Sequence, residues 1–185
     1  MTAMFIKHKT FMFPLSLLLL LFFASTDTNA MLIKDMYAFC KETEDVNFCL
    51  KYIGTDVRII TARDFNDVLL IAISQCQYQV NDAATQIDKV RQKFSGPIGT
   101  HRIVYCQNYY ELAYALFRKA YEEAEGGEFA SVAQISATDG LNYMRKCEDE
   151  WKKNGPIQKS PVTFYLTNVV KLLSIIQVII EKING

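Results

Sequence analysis

The chain has 185 residues with 20 basic and 20 acidic side chains, so its formal net charge is zero. That length suits one ordinary domain with a buried core. The charge balance gives no electrostatic case for nucleic acid or an anionic membrane as a partner, and no linker, charged tail or internal repeat divides the chain.

Residues 1–30 read as a secretory signal peptide. Lys7, His8 and Lys9 precede the apolar run FMFPLSLLLLLFFA, which is shorter than a membrane span, and Thr28 and Ala30 stand where a cleavage site needs small residues. Cleavage after Ala30 leaves residues 31–185 with 18 basic and 19 acidic side chains and all five cysteines. A secreted chain tends to oxidise its cysteines, and an odd count leaves one thiol over.

Residues 31–58 form the first expected unit, an N-terminal helical hairpin in which Leu32, Ile33, Met36, Tyr37 and Phe39 are available to pack. Residues 59–185 carry four amphipathic stretches. The first runs from Thr61 to Phe94, with Phe65, Leu69, Ala72, Cys76, Val80, Ala83, Ile87 and Val90 at spacings of three and four. Thr61 with Asp64 reads as its capping box, and Ser95-Gly96-Pro97 as its stop. The second passes through Ile103, Cys106, Tyr110, Ala113, Leu116 or Phe117, Ala120 and Ala124 to Gly126-Gly127. The third runs from Phe129 through Ala133, Ala137, Leu141, Met144 and Cys147 to Trp151. The fourth runs from about Pro161, a proline suited to a first helical turn, to Ile183, with Leu166, Val169, Leu173, Ile176 and Ile180 on its face. Asn168, Lys171, Ser174 and Gln177 interrupt that last apolar run, which argues against a membrane span or a lipid anchor. The fold class expected is all-α: an antiparallel up-and-down four-helix bundle with an N-terminal hairpin, stapled by disulfides.

Geometry selects the staples. Cys106 and Cys147 lie equally far from a hairpin turn at Gly126-Gly127, so they sit level and can be bridged. Reflection of Cys76 through the preceding turn puts it level with about Lys119, roughly 20 Å from Cys106 at about 1.5 Å per residue. Cys76 is therefore the expected free thiol, a small buried hydrophobe, and Cys40 pairs locally with Cys49. A zinc site would need more Cys or His ligands than the mature chain offers, since His101 is its only histidine; no metal and no cofactor is expected. No nucleophile elbow, zinc-protease motif or phosphate loop appears, and His101 reads as a solvated imidazole after the turn. The cluster Glu122, Glu123, Glu125 and Glu128 reads as a solvated helix end rather than a catalytic carboxylate pair.

The cysteine framework resembles that of the plant invertase and pectin methylesterase inhibitors. The first element is Cys40, Thr43 and Cys49, with Val46 where the family often has proline; the second is Cys106 with Tyr110; the third is ATDGLNYMRKCED, holding Thr138, Leu141 and Cys147. SPVT at 160–163 is similar to the branch that contains the invertase-inhibitor-like pollen allergens. The resemblance covers 35–183 and implies the same bundle, with disulfides pairing first to second and third to fourth. It also implies a protein that inhibits a wall enzyme and is not itself an enzyme, located outside the cell in the apoplast, with the vacuole as the other destination.

Two departures bear on the target. The invertase inhibitors share a Pro-Lys-Phe element before the third bundle helix; here Gly127, Glu128 and Phe129 stand there, with the charge reversed. Pectin methylesterase inhibitors cover a substrate groove with polar helix faces, including the region before the last cysteine, where Lys146 replaces the usual threonine. The resemblance therefore implies pectin methylesterase as first partner and acid invertase as second, met one-to-one by a monomer. Glu128, Phe129, Thr138, Asn142 and Lys146 are the contact candidates. A secreted bundle that inhibits nothing, acting as a receptor ligand or as a carrier of an apolar molecule, is the remaining alternative; Tyr105, Tyr109, Tyr114 and Tyr121 are numerous enough to line a surface.

Overall fold

A computed structural model of the chain describes residues 33–153 and 155–185; the signal-peptide reading of 1–30 and the packing role of Leu32 lie outside the described residues. The described residues form helices and turns with no strand. A short N-terminal hairpin leads into four long rods, whose connections are too short for anything but antiparallel neighbours.

The hairpin consists of α1 (Ile33–Cys40) and α2 (Val46–Cys49), the latter running on into a π-helical turn over Leu50–Gly54. Asp45 caps α2 by accepting from the Phe48 amide at 3.0 Å, and the Thr43 hydroxyl donates to the Cys40 carbonyl at 2.7 Å. These local bonds close the turn. Cys40 and Cys49 are joined inside it, both fully buried. Met36 and Phe39 are buried, while Tyr37 is half exposed. The Phe39 ring meets Phe65 at 5.5 Å, and this contact seats the hairpin on the bundle. Two ion pairs fasten it to the last helix, Asp45 to Lys171 at 2.8 Å and Glu42 to Lys182 at 2.6 Å. A buried amide completes the junction: Asn168 donates to Gln79 at 2.7 Å and to the Tyr52 hydroxyl at 3.1 Å.

A 3-10 turn over Val57–Thr61 separates the hairpin from α3 (Phe65–Val90). The cap is Asp64, which accepts from the amides of Asn66 and Asp67, so the Thr61–Asp64 capping box of the sequence reading is corrected. Thr61 belongs to the preceding turn, where its hydroxyl donates to the Arg58 carbonyl. After α3, a 3-10 extension over Arg91–Phe94 leads to Gly96, whose φ of 99° favours glycine, and Pro97 opens the next helix. That helix, α4 (Pro97–Glu125), begins two turns before the apolar stripe signalled it.

The third rod is α5 (Phe129–Gln134), a π-helical segment over Ile135–Gly140, and α6 (Leu141–Lys153). Here the expected stripe is wrong in its first half: Ala133 and Ala137 are exposed, and Val132, Ile135 and Ser136 are buried instead. The wider π turn shifts the register, so the face that enters the core before it differs from the one after it. Gly140 ends the segment where a Cβ would lie 3.2 Å from the edge of the buried Phe117 ring, which explains a glycine in mid-rod. Cys106 and Cys147 join α4 to α6, both fully buried, and Trp151 donates its indole N–H to the Cys106 sulfur at 3.2 Å. Cys76 is free and buried on α3, and burial pushes its thiol pKa far up.

The last helix, α7 (Thr163–Asn184), starts two residues after Pro161, so that proline lies outside its first turn. Its buried face centres on Val169, Leu172, Ile175, Ile176 and Ile179. Leu166 and Ile180 lie at its margins. The helix is long and apolar enough to cross a membrane by length and composition; in the fold it packs along α3 and buries one face there. Helix α3 touches both α4 and α7, α4 touches α6, and α6 touches α7, which closes the bundle.

Candidate functional site

The contact candidates fall into two groups. Asn142 and Lys146 sit four residues apart, exposed on one face of α6. With Leu116 of α4, Asp139 and Tyr143 they line a groove of about 220 Å³ between the two helices. Thr138 is exposed on the π segment one residue before Asp139. Glu128 and Phe129 lie at the far end of the rod, about 27 Å from Lys146 at 1.5 Å per residue. Glu128 is exposed, whereas Phe129 is half-buried and packs against the core. The turn that carries them is tied back on itself, with the Glu128 amide donating to the Glu123 carbonyl at 2.9 Å.

Beside the groove runs an aromatic ladder that the sequence reading did not assemble. The His101 ring meets Tyr105 at 5.6 Å, Tyr105 meets Tyr109 edge to face at 4.5 Å, and Tyr109 stacks on Tyr143 of the neighbouring helix at 5.6 Å. The Lys146 ammonium lies over both Tyr109 and Tyr143, 5.4 and 4.9 Å from their ring centres. That places a cation on the negative faces of two rings and fixes the lysine against the helix. The Tyr109 hydroxyl donates to the Tyr105 hydroxyl at 2.9 Å, and this bond, with burial and the Tyr109 and Glu150 charges, pushes the Tyr105 phenol up to about 12. At the end of the ladder His101 is half exposed, but its Nε2 lies 3.2 Å from an oxygen of Glu150, whose side chain is buried. The imidazole is therefore tethered to α6 and is not simply solvated.

Part of this surface was available in the sequence. Tyr105 and Tyr109 are one helical turn apart, as are Asn142 and Lys146, and the reflection through Gly126-Gly127 that levels Cys106 with Cys147 also brings Tyr109 level with Met144, next to Tyr143. Tyr114, exposed, and Tyr121, half-buried, lie elsewhere on α4 and do not extend the row.

The end of the bundle beyond His101 is held by a buried arginine. Arg102 donates to the Gln158 side chain and to the Pro156 carbonyl, both at 3.0 Å, and lies 5.5 Å from the Trp151 ring centre. This fixes the connection between α6 and α7 against the end of the ladder. Among the described residues, no group of three or more His, Cys, Asp or Glu side chains is placed to hold a metal ion. The surface offers shape, aromatic area and charge, which are means of recognition.

A family model described as plant invertase/pectin methylesterase inhibitor matches residues 34–179. The chain is 48% identical over 183 residues, 99% of each chain, to the Arabidopsis thaliana protein called Pectinesterase inhibitor 5. Two solved structures of Arabidopsis pectin methylesterase inhibitors, one of them a mutant form, share the fold with TM-scores of 0.62 and 0.56. Each is 18% identical to this chain, and the match covers 80% of this chain and 95% of the solved one.

Proposed function

The chain belongs to the plant invertase/pectin methylesterase inhibitor family, and we propose that it is a secreted inhibitor of pectin methylesterase. In this reading residues 1–30 leave as a signal peptide, and residues 31–185 act outside the cell as a monomer. The inhibitor occludes the enzyme's substrate cleft one-to-one and reversibly, with no covalent step. The observation that carries the target is the near-full-length relationship to a protein named as a pectinesterase inhibitor.

The docking face we propose is the α4–α6 surface: Tyr105, Tyr109, Tyr143 and Lys146, with Asn142 and Thr138 beside them. Three features support it. Tyrosine and a restrained lysine supply large contact area at small entropic cost, because their rotamers are held before the partner arrives. The Cys106–Cys147 bridge binds the two helices directly beneath, so the face is preorganised. The groove beside it holds Asp139 and Asn142, which give polar partners at the rim of an apolar centre. A tight complex needs about 1,600 Å² in total, more than this strip supplies alone, so the Glu128-Phe129 turn at the other end of the rod is the second proposed contact.

Acid invertase is the second target in this reading. Glu128 stands against it, because a cleft arranged for a lysine at that position meets a carboxylate. The test is inhibition of a pectin methylesterase by Tyr109→Ala and Lys146→Glu variants of normal melting temperature. Central contacts of this type cost about 1–3 kcal/mol, or roughly 5- to 150-fold in inhibition constant. Unchanged inhibition by both variants would move the docking face elsewhere on the bundle.

A further inference from the structure

The Tyr105–Tyr109 pair has a chemistry that inhibition does not use. The two hydroxyls are 2.9 Å apart, the ring centres 4.5 Å apart, and the planes inclined at 71°. Each ortho carbon is bonded to the carbon that bears the hydroxyl. Hydroxyls in contact therefore keep the hydroxyl-bearing ends of the two rings, ortho carbons included, in one neighbourhood. Both residues are half-buried, so each ring is held by its neighbours while part of the residue remains open to solvent.

We propose that Tyr105 and Tyr109 form an oxidative cross-linking site, coupled into a single biphenol within one helix by a haem peroxidase and hydrogen peroxide. Each phenol loses one electron and one proton to give a phenoxyl radical, and the peroxide takes up both and becomes two waters. The radicals join through their ortho carbons, and the two ortho hydrogens move to the oxygens as the rings regain aromaticity. The protein is lighter by two hydrogens, and no other bond changes. The compartment is compatible, because both native disulfides already require an oxidising one.

The neighbouring tyrosines do not match this geometry. Tyr110 follows Tyr109 in the chain but is fully buried. Tyr143 stacks on Tyr109 at 5.6 Å with planes at 28°, which apposes faces rather than ortho edges, and the Lys146 ammonium lies over both rings. Tyr114 is exposed but lies outside the ladder. Coupling converts two separate rings into one rigid group in the middle of the proposed docking face. The functional consequence, a loss of inhibition on oxidation, rests on that reading of the face; the cross-link itself does not.

The experiment treats the mature, disulfide-intact chain at low concentration with a haem peroxidase and limiting hydrogen peroxide, then measures intact mass, biphenol fluorescence and a peptide map. The expected product is a monomer lighter by two hydrogens. After reduction and alkylation the change falls in the tryptic peptide 103–118, which holds Cys106, with backbone fragments missing between Tyr105 and Tyr109. Tyr105→Phe and Tyr109→Phe, which remove only a hydroxyl, are expected to fold normally and to abolish the product. Persistence of the mass loss in both variants, a link to Tyr143, or coupling only between molecules would overturn the proposal. Esterase inhibition is read on the same samples: a cross-linked monomer that still inhibits fully keeps the modification and removes this pair from the docking face.

Discussion

Replacing Asn168 tests the polar junction between hairpin and bundle. Its amide donates to the buried Gln79 side chain at 2.7 Å and to Tyr52 of the hairpin at 3.1 Å. Asn168→Leu keeps the volume and the helix but leaves the Gln79 oxygen buried without that donor. A buried acceptor stranded in this way costs about 1–3 kcal/mol, and two lost bonds of about 1 kcal/mol each are partly offset by apolar burial, which leaves about 2 kcal/mol. For a domain of this size that lowers Tm by about 4–8 °C. The assay is thermal unfolding of the oxidised mature protein followed by circular dichroism. The double variant Gln79→Leu/Asn168→Leu removes donor and acceptor together and is expected to recover most of the loss, because neither polar group is then stranded. A single variant as stable as the parent, or a double variant equal to the sum of the singles within about 0.5 kcal/mol, would refute the reasoning.

Two further expectations concern acid and the spare thiol. Hydrogen bonds from Arg58 hold Asp56 below its ordinary value of 3.8, at about 2, and those from Lys171 and Arg63 lower Asp45 and Asp67. Each carboxylate is depressed in the folded state, so its contribution is complete above the unfolded value and is lost as pH falls through the folded one. Melting temperature should therefore be insensitive to these groups at mildly acidic pH and fall between about pH 4 and pH 2, with a shallower acid limb in Asp56→Asn; an equally steep limb in that variant would count against the assignment. Cys76, buried with its thiol pKa pushed far up, should resist iodoacetamide in the native protein and react after unfolding in guanidinium. Rapid native labelling would show that α3 opens locally or that the thiol lies nearer the surface.

The four rods were legible because each buries one face, and burial imposes spacings of three and four on the apolar residues. The turn at Gly126-Gly127 was legible for the same reason, and it fixed the level of Cys106 against Cys147. Three features were not. The π segment at Ile135–Gly140 changes register, and its residues ISATDG carry no periodic signal of the extra residue in the turn, so a stripe extrapolated backwards from Met144 reaches Ala133 and Ala137 on the wrong face. The start of α3 carries two residues able to cap, Thr61 and Asp64, and the choice depends on the 3-10 turn that consumes the threonine. Arg102, almost fully buried, is held by Pro156 and Gln158 from more than fifty residues away, and no local pattern announces such a contact. At the candidate site the i, i+4 pairs were readable, but the ladder exists only because α4 and α6 are adjacent, and the long-range partner Tyr143 completes it.

The measurement that bears most directly on the proposed activity is a parallel titration of the oxidised mature chain, residues 31–185, against a plant pectin methylesterase and a plant acid invertase at wall pH. The expected result is stoichiometric, reversible loss of esterase activity at a one-to-one ratio, with invertase unaffected or inhibited far more weakly. Inhibition of invertase alone would reverse the order of targets and make Glu128 compatible with its cleft. Full activity of both enzymes in the presence of the disulfide-intact protein would contradict the inhibitor reading for these two targets.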